Sequence, residues 1–295
     1  MRKFAKKFVR KFVKKFERKF VRKFVSKGPG FLLLIFSLNM HAAGEWRPVG
    51  GRASGMSGIS VALTDNWSAI SNQGSNAWNE GILCGIFYEN RFMVKELSAK
   101  AFVFSATISP GTFSFTCTHF GTSIYSELKT GLGYARKFGK HFSAGVQLNY
   151  YRFHVSDNNG SSNILNCEAG LLFKPGKHVA IGFHCINPVP VKLSRVSGES
   201  LPTLFQLGLS YNFTDELLVS AEVEKDPVSK TCARVGAEYL FARILSARAG
   251  MATSPFRLSI GAGIVINRFS VDFASEYNQT LGFSPAISIQ YQIRK

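Results

Sequence analysis

The sequence lacks any apolar run long enough to cross a bilayer as a helix. No segment reaches the roughly 18 consecutive apolar residues that a transmembrane helix requires. None of the five cysteines belongs to a Cys-x-x-Cys pair, and there is no His-Glu-x-x-His motif. These absences exclude a helical membrane protein and remove the usual signals of metal and redox sites, so we predict no cofactor.

The chain also lacks the charge pattern of a nucleic-acid-binding domain, although its formal net charge is +18. Residues 1–27 hold thirteen Lys or Arg and the single acid Glu17, which contribute +12 and leave +6 for the rest of the chain. A nucleic-acid-binding protein would instead carry a basic face on its folded domain. We therefore predict no nucleic-acid partner.

The basic N-terminal segment is organised like an export signal. Phenylalanine recurs at every fourth position from Phe4 to Phe24, and an apolar run follows at 31–38, ending before the small residues Ala42 and Ala43. A basic region, a short apolar core and small residues predict a signal peptide, to which we assign residues 1–43. The repeat is interpreted as an extended basic region of that signal. A basic helix on a membrane surface and a misassigned start codon are the alternatives.

Strict alternation of apolar and polar residues dominates the remainder of the chain. In 256–266, for example, Phe256, Leu258 and Ile260 alternate with Arg257 and Ser259. This period predicts strands with two different faces, and most are longer than the ~5–6 residues of an average soluble strand. We predict fourteen, at 81–93, 95–108, 112–121, 124–138, 141–154, 164–174, 178–190, 203–213, 216–225, 231–241, 244–253, 256–266, 269–277 and 283–294.

The links between these strands predict the topology. Short turns such as Gly139-Lys140 alternate with longer links such as 155–163 and 191–202. Short turns on one side and longer loops on the other are typical of outer-membrane barrels. We therefore predict an all-β fold, an antiparallel transmembrane β-barrel of about 14 strands over 81–295, in contact with the lipid of a Gram-negative outer membrane. The even count puts both termini on the periplasmic side. A secreted β-sandwich is the alternative.

Two features are predicted to occupy the lumen of this barrel. Residues 44–80 are rich in glycine and do not alternate well, so we expect them to fold back as an N-terminal plug. The polar strand faces also carry charges of both signs, which predict either a salt-bridged wall or a path for a ligand or ion. These charges are Glu222, Glu224, Arg234, Glu238, Arg248, Arg257, Asp272 and Glu276.

The start of the plug segment resembles the opening motif of the PorV/PorQ family, Bacteroidota outer-membrane proteins related in architecture to the FadL fatty-acid transporters. The residues that carry the resemblance are Arg52, Gly55, Met56, Gly58, Asp65, Trp67 and Asn72. The resemblance covers roughly 45–294 and implies a fourteen-stranded barrel with a lumenal N-terminal segment. One departure is the sequence Asn72-Gln73-Gly74-Ser75, where the family often has Asn-Pro-Ala-Gly.

The resemblance implies two alternative functions. Some members serve the type IX secretion system, which predicts secretion proteins or exported cargo as partners. FadL relatives pass hydrophobic molecules, which predicts a channel for a small hydrophobic ligand instead. We expect no enzymatic activity, because His119, His141, His154, His178 and His184 are scattered and no nucleophile motif accompanies them.

Overall fold

A computed structural model describes residues 47–156, 161–189, 191, 201, 203–227 and 230–293. The predicted signal peptide at 1–43 and the first residues of the predicted plug, 44–46, lie outside this range. In the described part of the chain, no helix has the length and apolar character needed to cross a membrane.

Fourteen antiparallel strands form a closed barrel, as the alternation predicts. Each strand pairs with its neighbours in sequence, and β1 closes the ring by pairing with β14 as well as β2. Closure satisfies every strand edge, which backbone in a hydrocarbon environment requires. The strands are β1 Ile82–Asn90, β2 Ser98–Ile108, β3 Gly111–Gly121, β4 Tyr125–Phe138, β5 Phe142–Val155, β6 Ser161–Phe173, β7 Val179–Ile186, β8 Leu204–Asn212, β9 Leu217–Lys225, β10 Cys232–Phe241, β11 Leu245–Thr253, β12 Phe256–Ile266, β13 Phe269–Asn278 and β14 Gly282–Ile293.

The apolar face of each strand points outward and the polar face points into the lumen. In β12, the side chain of Ile260 is 68% exposed, whereas Arg257 is 6% exposed. A soluble sheet would bury the apolar set instead, so this inverted arrangement is that of a barrel surrounded by lipid.

The two ends of the barrel differ in their connections. One end, called here the short-turn mouth, carries the links 109–110, 139–141, 174–178, 213–216, 242–244 and 267–268. The other, called here the long-link mouth, carries 91–97, 122–124, 156–160, 187–203, 226–231, 254–255 and 279–281. Not every link at the long-link mouth is long, because 122–124 and 254–255 are as short as the turns at the short-turn mouth. The difference between the two mouths comes mainly from the links 91–97, 187–203 and 226–231.

The link between β1 and β2 is longer than the sequence predicted. We expected strands at 81–93 and 95–108, but residues 91–97 form two 3₁₀ turns, Arg91–Met93 and Lys95–Leu97. Phe92 and Met93 have positive φ values of 57° and 55°, which no strand can include. The Phe92 amide donates to Ser284 Oγ on β14, and this bond holds the turn against the neighbouring strand at the long-link mouth.

The strands on either side of the turn 174–178 also differ from expectation. β6 begins at Ser161 rather than 164, and β7 ends at Ile186 rather than 190. The Asn187 side chain donates to the Leu201 carbonyl, and the Thr203 hydroxyl donates to the Asn187 carbonyl. These contacts turn the chain away from the β7 ladder, so the link 187–203 starts earlier than predicted.

The described residues before β1, 47–80, form a plug inside the barrel. The plug contains three short helices, α1 Gly51–Ser54, α2 Ser68–Ser71 and α3 Gln73–Asn76. Most of residues 50–79 are buried. The plug thus forms the core of the barrel.

Candidate functional site: the plugged lumen

The plug runs through the lumen from one mouth to the other. Arg47 lies at the long-link mouth, where its guanidinium stands 5.5 Å from the ring centroid of Phe92 and 3.8 Å from a carboxylate oxygen of Glu276. Trp78 lies near the short-turn mouth, where its indole N–H donates to Ser143 Oγ at 2.8 Å. The segment therefore spans the lumen before β1 begins.

This path changes the expected position of the N-terminal end. We predicted both termini on one side because the strand count is even. Ile82 and Ile293, at the ends of β1 and β14, do pair at the short-turn mouth. The described N-terminal end nevertheless lies at the opposite mouth, because the plug adds one passage through the lumen.

Glycines on the inner wall allow the plug backbone to pack against the strands. A methyl group at Gly182 would lie 2.3 Å from the Val61 carbonyl oxygen, and one at Gly250 would lie 2.5 Å from the Met56 carbonyl carbon. Both distances are shorter than any real contact of a Cβ atom. Inward glycines in similar contact with the plug occur on eight strands, at Gly85, Gly145, Gly170, Gly182, Gly208, Gly236, Gly250 and Gly261. The wall is therefore shaped to this plug.

Arg52 fixes α1 to the wall. Its guanidinium forms a bidentate ion pair with Glu238 on β10, at 2.9 and 2.6 Å, and lies 3.4 Å from Asp65 in the same plug. Arg52 thus joins two parts of the plug to one strand.

A wall carboxylate also caps the plug backbone. Glu222 Oε2 accepts hydrogen bonds from the amides of Ser60 and Val61, both at 2.9 Å. Its other oxygen accepts from Arg234 at 2.8 Å, and Arg234 also donates to Glu224 at 2.9 Å. A buried carboxylate is tolerated only with such partners. Glu222 therefore helps to hold the plug against the wall.

The remaining predicted lumen charges are also paired. Arg248 bridges Glu238 at 2.6 Å and Asp272 at 2.7 Å, and Arg257 lies 3.1 Å from Glu276. The structure thus brings all eight predicted charges into ion pairs, and several of them contact the plug. This arrangement is the salt-bridged wall rather than an open path for ions.

The apolar residues of the opening motif anchor the plug at two places. Trp67 is 2% exposed and meets Phe87 edge-on, with ring centroids 5.9 Å apart. Met56 is fully buried with Ile59 and with Leu218 of β9. The two motif glycines allow the plug backbone to pack closely on its neighbours. Gly55 packs on the Gly261 backbone, and Gly58, at φ 91°, packs on Pro48.

The departure from the family pattern at Asn72-Gln73-Gly74-Ser75 has a structural role. The Asn72 side chain accepts from the Gly74 amide as the N-cap of α3, and it donates to the carbonyls of Val61 and Leu171. Gln73 stands at the first helical position, where proline is also tolerated. Its amide donates to Glu168 on β6 at 3.3 Å, a contact that proline could not make.

A second buried polar network was not predicted from the sequence. Glu168 accepts from Lys129 on β4 and from Asn149 on β5, and it lies 3.4 Å from His184 Nε2 on β7. His184 Nδ1 in turn lies 3.1 Å from Gln206 on β8. Following the inward parity of each strand would have found these residues, because Glu168 is the only acid in an otherwise apolar or neutral stretch of β6.

Two lysines flank the indole of Trp78 at the short-turn mouth. The ammonium of Lys137 lies 4.6 Å and that of Lys174 4.4 Å from the ring centroid. Burial and the nearby ammonium of Lys137 lower the pKa of Lys174 to about 8. No sequence pattern predicts this cluster, because the three residues are far apart along the chain.

We expect the Lys174 amine to react with an acylating reagent with a pH midpoint near its pKa of about 8, because only the neutral amine is nucleophilic. Quantitative mass spectrometry of the labelled peptide across pH 6–11 measures this midpoint. Substitution K137Q removes the like charge and should move the midpoint upward. An unchanged midpoint in K137Q would show that Lys137 does not act on Lys174.

Most of the plug is buried against the inward side chains of the wall. A recess of about 10 Å³ lies near the long-link mouth, beside Arg47, Glu89, Arg257 and Glu276. A single water molecule needs about that volume. The recess therefore cannot hold a hydrophobic molecule while the plug stays in this position.

The comparisons with known proteins concern the fold. No family model and no curated protein matches the sequence. Solved structures do match. The CymD monoaromatic hydrocarbon channel aligns with a TM-score of 0.69 at 13% identity, over 84% of this chain and 98% of that one. The Ralstonia pickettii toluene transporter TbuX gives 0.61 at 13%, over 85% and 99%.

A Pseudomonas aeruginosa FadL homologue gives a TM-score of 0.63 at 11% identity, over 83% of this chain and 98% of that one. Such low identities establish a common fold and nothing finer. The chain has the fourteen-stranded barrel fold of FadL-type outer-membrane channels.

Proposed function

We propose that this protein is an outer-membrane channel of the FadL type for a small hydrophobic molecule, with its short-turn mouth facing the periplasm. The observation that carries the proposal is the closed fourteen-stranded barrel, the fold it has in common with a monoaromatic hydrocarbon channel and a toluene transporter. The apolar outer surface supports a position in lipid.

The packed lumen adds a requirement to this proposal. Because most of residues 50–79 are buried inside the barrel, passage of a ligand would require the plug to shift. Ser57 and Ser259 offer a means to prevent that shift, since their hydroxyl oxygens lie 2.9 Å apart between plug and wall. Cysteines at these two positions would be within reach of a disulfide.

We expect a Gram-negative host without its own FadL-type channel to take up labelled toluene, or a labelled long-chain fatty acid, several-fold faster when it makes this protein. In a background with the five native cysteines replaced by alanine, S57C/S259C should take up ligand at the host's basal rate when oxidised. Dithiothreitol should restore uptake, and S57C alone is the matched control.

Two results would count against this proposal. Equal uptake by oxidised and reduced S57C/S259C would show that the plug does not gate the path. No uptake of either compound, at a verified level of folded barrel in the outer membrane, would overturn the channel function itself.

A second proposal is the role in type IX secretion, with membership of the PorV/PorQ family. It rests on the resemblance carried by residues 51–72, and the burial of the plug supports it because a barrel that docks proteins needs no conducting path. Loss of this gene would then retain exported proteins in the periplasm, as measured in culture supernatants. For both proposals we retain the inference that the chain is not an enzyme.

A further inference from the structure

The outward face of β2–β5 changes character along the strands. Strand register aligns Phe104, Phe115, Leu132 and Leu148 in one outward row across four strands. Nearer the long-link mouth, the next outward row contains Phe102, Cys117, Thr130 and Tyr150. These rows continue the apolar band that surrounds the barrel, and Tyr150 is the kind of amphipathic ring found at a membrane interface.

The following row toward the long-link mouth is basic. Lys100 pairs directly with His119, and His119 is aligned through Leu128 with Arg152 on β5. His154 is the next outward residue of β5 toward the same mouth. Lys100, Arg152 and His154 are exposed and His119 is half-buried. These four residues, called here the basic row, lie where the apolar band ends.

The basic row is not balanced by acids. In the part of the chain that the structure describes, none of its four members forms an ion pair with Asp or Glu. No outward position of β2–β6 carries an acid. Lys100 and His119 stand directly opposite each other on neighbouring strands, so an external anion at this position would meet both side chains.

The basic row is also confined to one sector of the barrel. Outside β2–β5, Lys225 is the one charged residue among the outward strand positions, and Arg136 of β4 lies at the other end of the apolar band. Random snorkelling of basic side chains would distribute them around the circumference. With strands ~4.8 Å apart, Lys100 and Arg152 are separated by about 14 Å across the sheet.

We propose that the basic row binds the phosphate groups of a phosphorylated lipid headgroup in the leaflet at the long-link mouth. Arg152 supplies a planar guanidinium that matches phosphate geometry, and Lys100 supplies a compact positive charge. The imidazoles of His119 and His154 add N–H donors. The span from Lys100 to Arg152 fits a headgroup with two phosphates better than one with a single phosphate.

The test uses the purified barrel in nanodiscs of zwitterionic lipid, titrated with diphosphorylated lipid A and followed by native mass spectrometry. We expect bound lipid A on the wild type and at least tenfold weaker binding for K100Q/R152Q. The matched control is R136Q/K177Q, which removes the same charge near the short-turn mouth and should bind like the wild type. All of these residues lie outside the plug's contacts, so the variants should fold.

Three outcomes would overturn the proposal. Equal lipid A binding by K100Q/R152Q and the wild type would show that the basic row is not the site. Equal loss in R136Q/K177Q would show a general charge effect. Displacement of lipid A by millimolar inorganic phosphate would identify a site for free phosphate rather than a lipid headgroup. Weaker binding of monophosphorylated lipid A would support the two-phosphate fit.

Discussion

A valine at Gly250 is expected to displace the plug and open the barrel to ions. Even a single added carbon at this position would lie 2.5 Å from the Met56 carbonyl carbon, so backbone must move. Overpacking a core typically lowers the free energy of unfolding by about 1–3 kcal/mol. We expect the upper end of that range, because the atom in contact belongs to the Met56 main chain and not to a flexible side chain. In planar bilayers, G250V should show a several-fold larger mean conductance than the wild type.

Gly176 provides the control for this experiment. It lies in the turn 174–178, and a methyl group there meets nothing within 4 Å. G176V should therefore conduct like the wild type. A wild-type conductance in G250V, with unchanged thermal stability, would mean that the plug accommodates the extra volume and that the close packing does not hold it in place.

The second large effect is expected at Arg52. Substitution R52M removes the bidentate pair with Glu238 and the contact with Asp65. Breaking a buried ion pair lowers the free energy of unfolding by about 3–5 kcal/mol. We expect a loss of about 3 kcal/mol, because the Arg52 side chain is 21% exposed and Glu238 still pairs with Arg248. Urea titration of the barrel in lipid vesicles measures the loss, and cleavage of residues 47–80 by a protease reports release of the plug.

A double-mutant cycle separates this pair from a general loss of packing. E238Q alone leaves Arg52 with Asp65, and R52M/E238Q removes both members of the main pair. The double variant should be less destabilised than the sum of the two single variants. Full additivity would show that Arg52 and Glu238 do not interact in the folded barrel.

The strands were predictable because each carries its own signal. In β12 the alternation of Phe256, Leu258 and Ile260 with Arg257 and Ser259 sets both the strand and its two faces. The bounds of β12 agree with the prediction to the residue. The 3₁₀ turns at 91–97 were not predictable, because positive φ at Phe92 and Met93 depends on a hydrogen bond to distant Ser284.

The candidate site was likewise predictable only in part. Arg52 and Glu238 could each be singled out as a polar residue in an unusual setting, but their pairing joins positions 186 apart in sequence. The inward glycines were visible as small residues on polar faces, yet their role depends on where the plug backbone runs. The cluster of Trp78, Lys137 and Lys174 could not be predicted, because it depends on the register of β4 against β5 and of β5 against β6.

The distribution of the plug's contacts has a consequence for biogenesis. The plug precedes every strand in the chain, yet it bonds to strands as late as β14, where Ser288 accepts from the Gly51 amide across 237 positions. The plug therefore cannot complete its contacts until the last strand is in place. Because the glycine-lined wall contacts the plug on eight strands, the final packing of residues 47–80 and the closure of the barrel depend on each other.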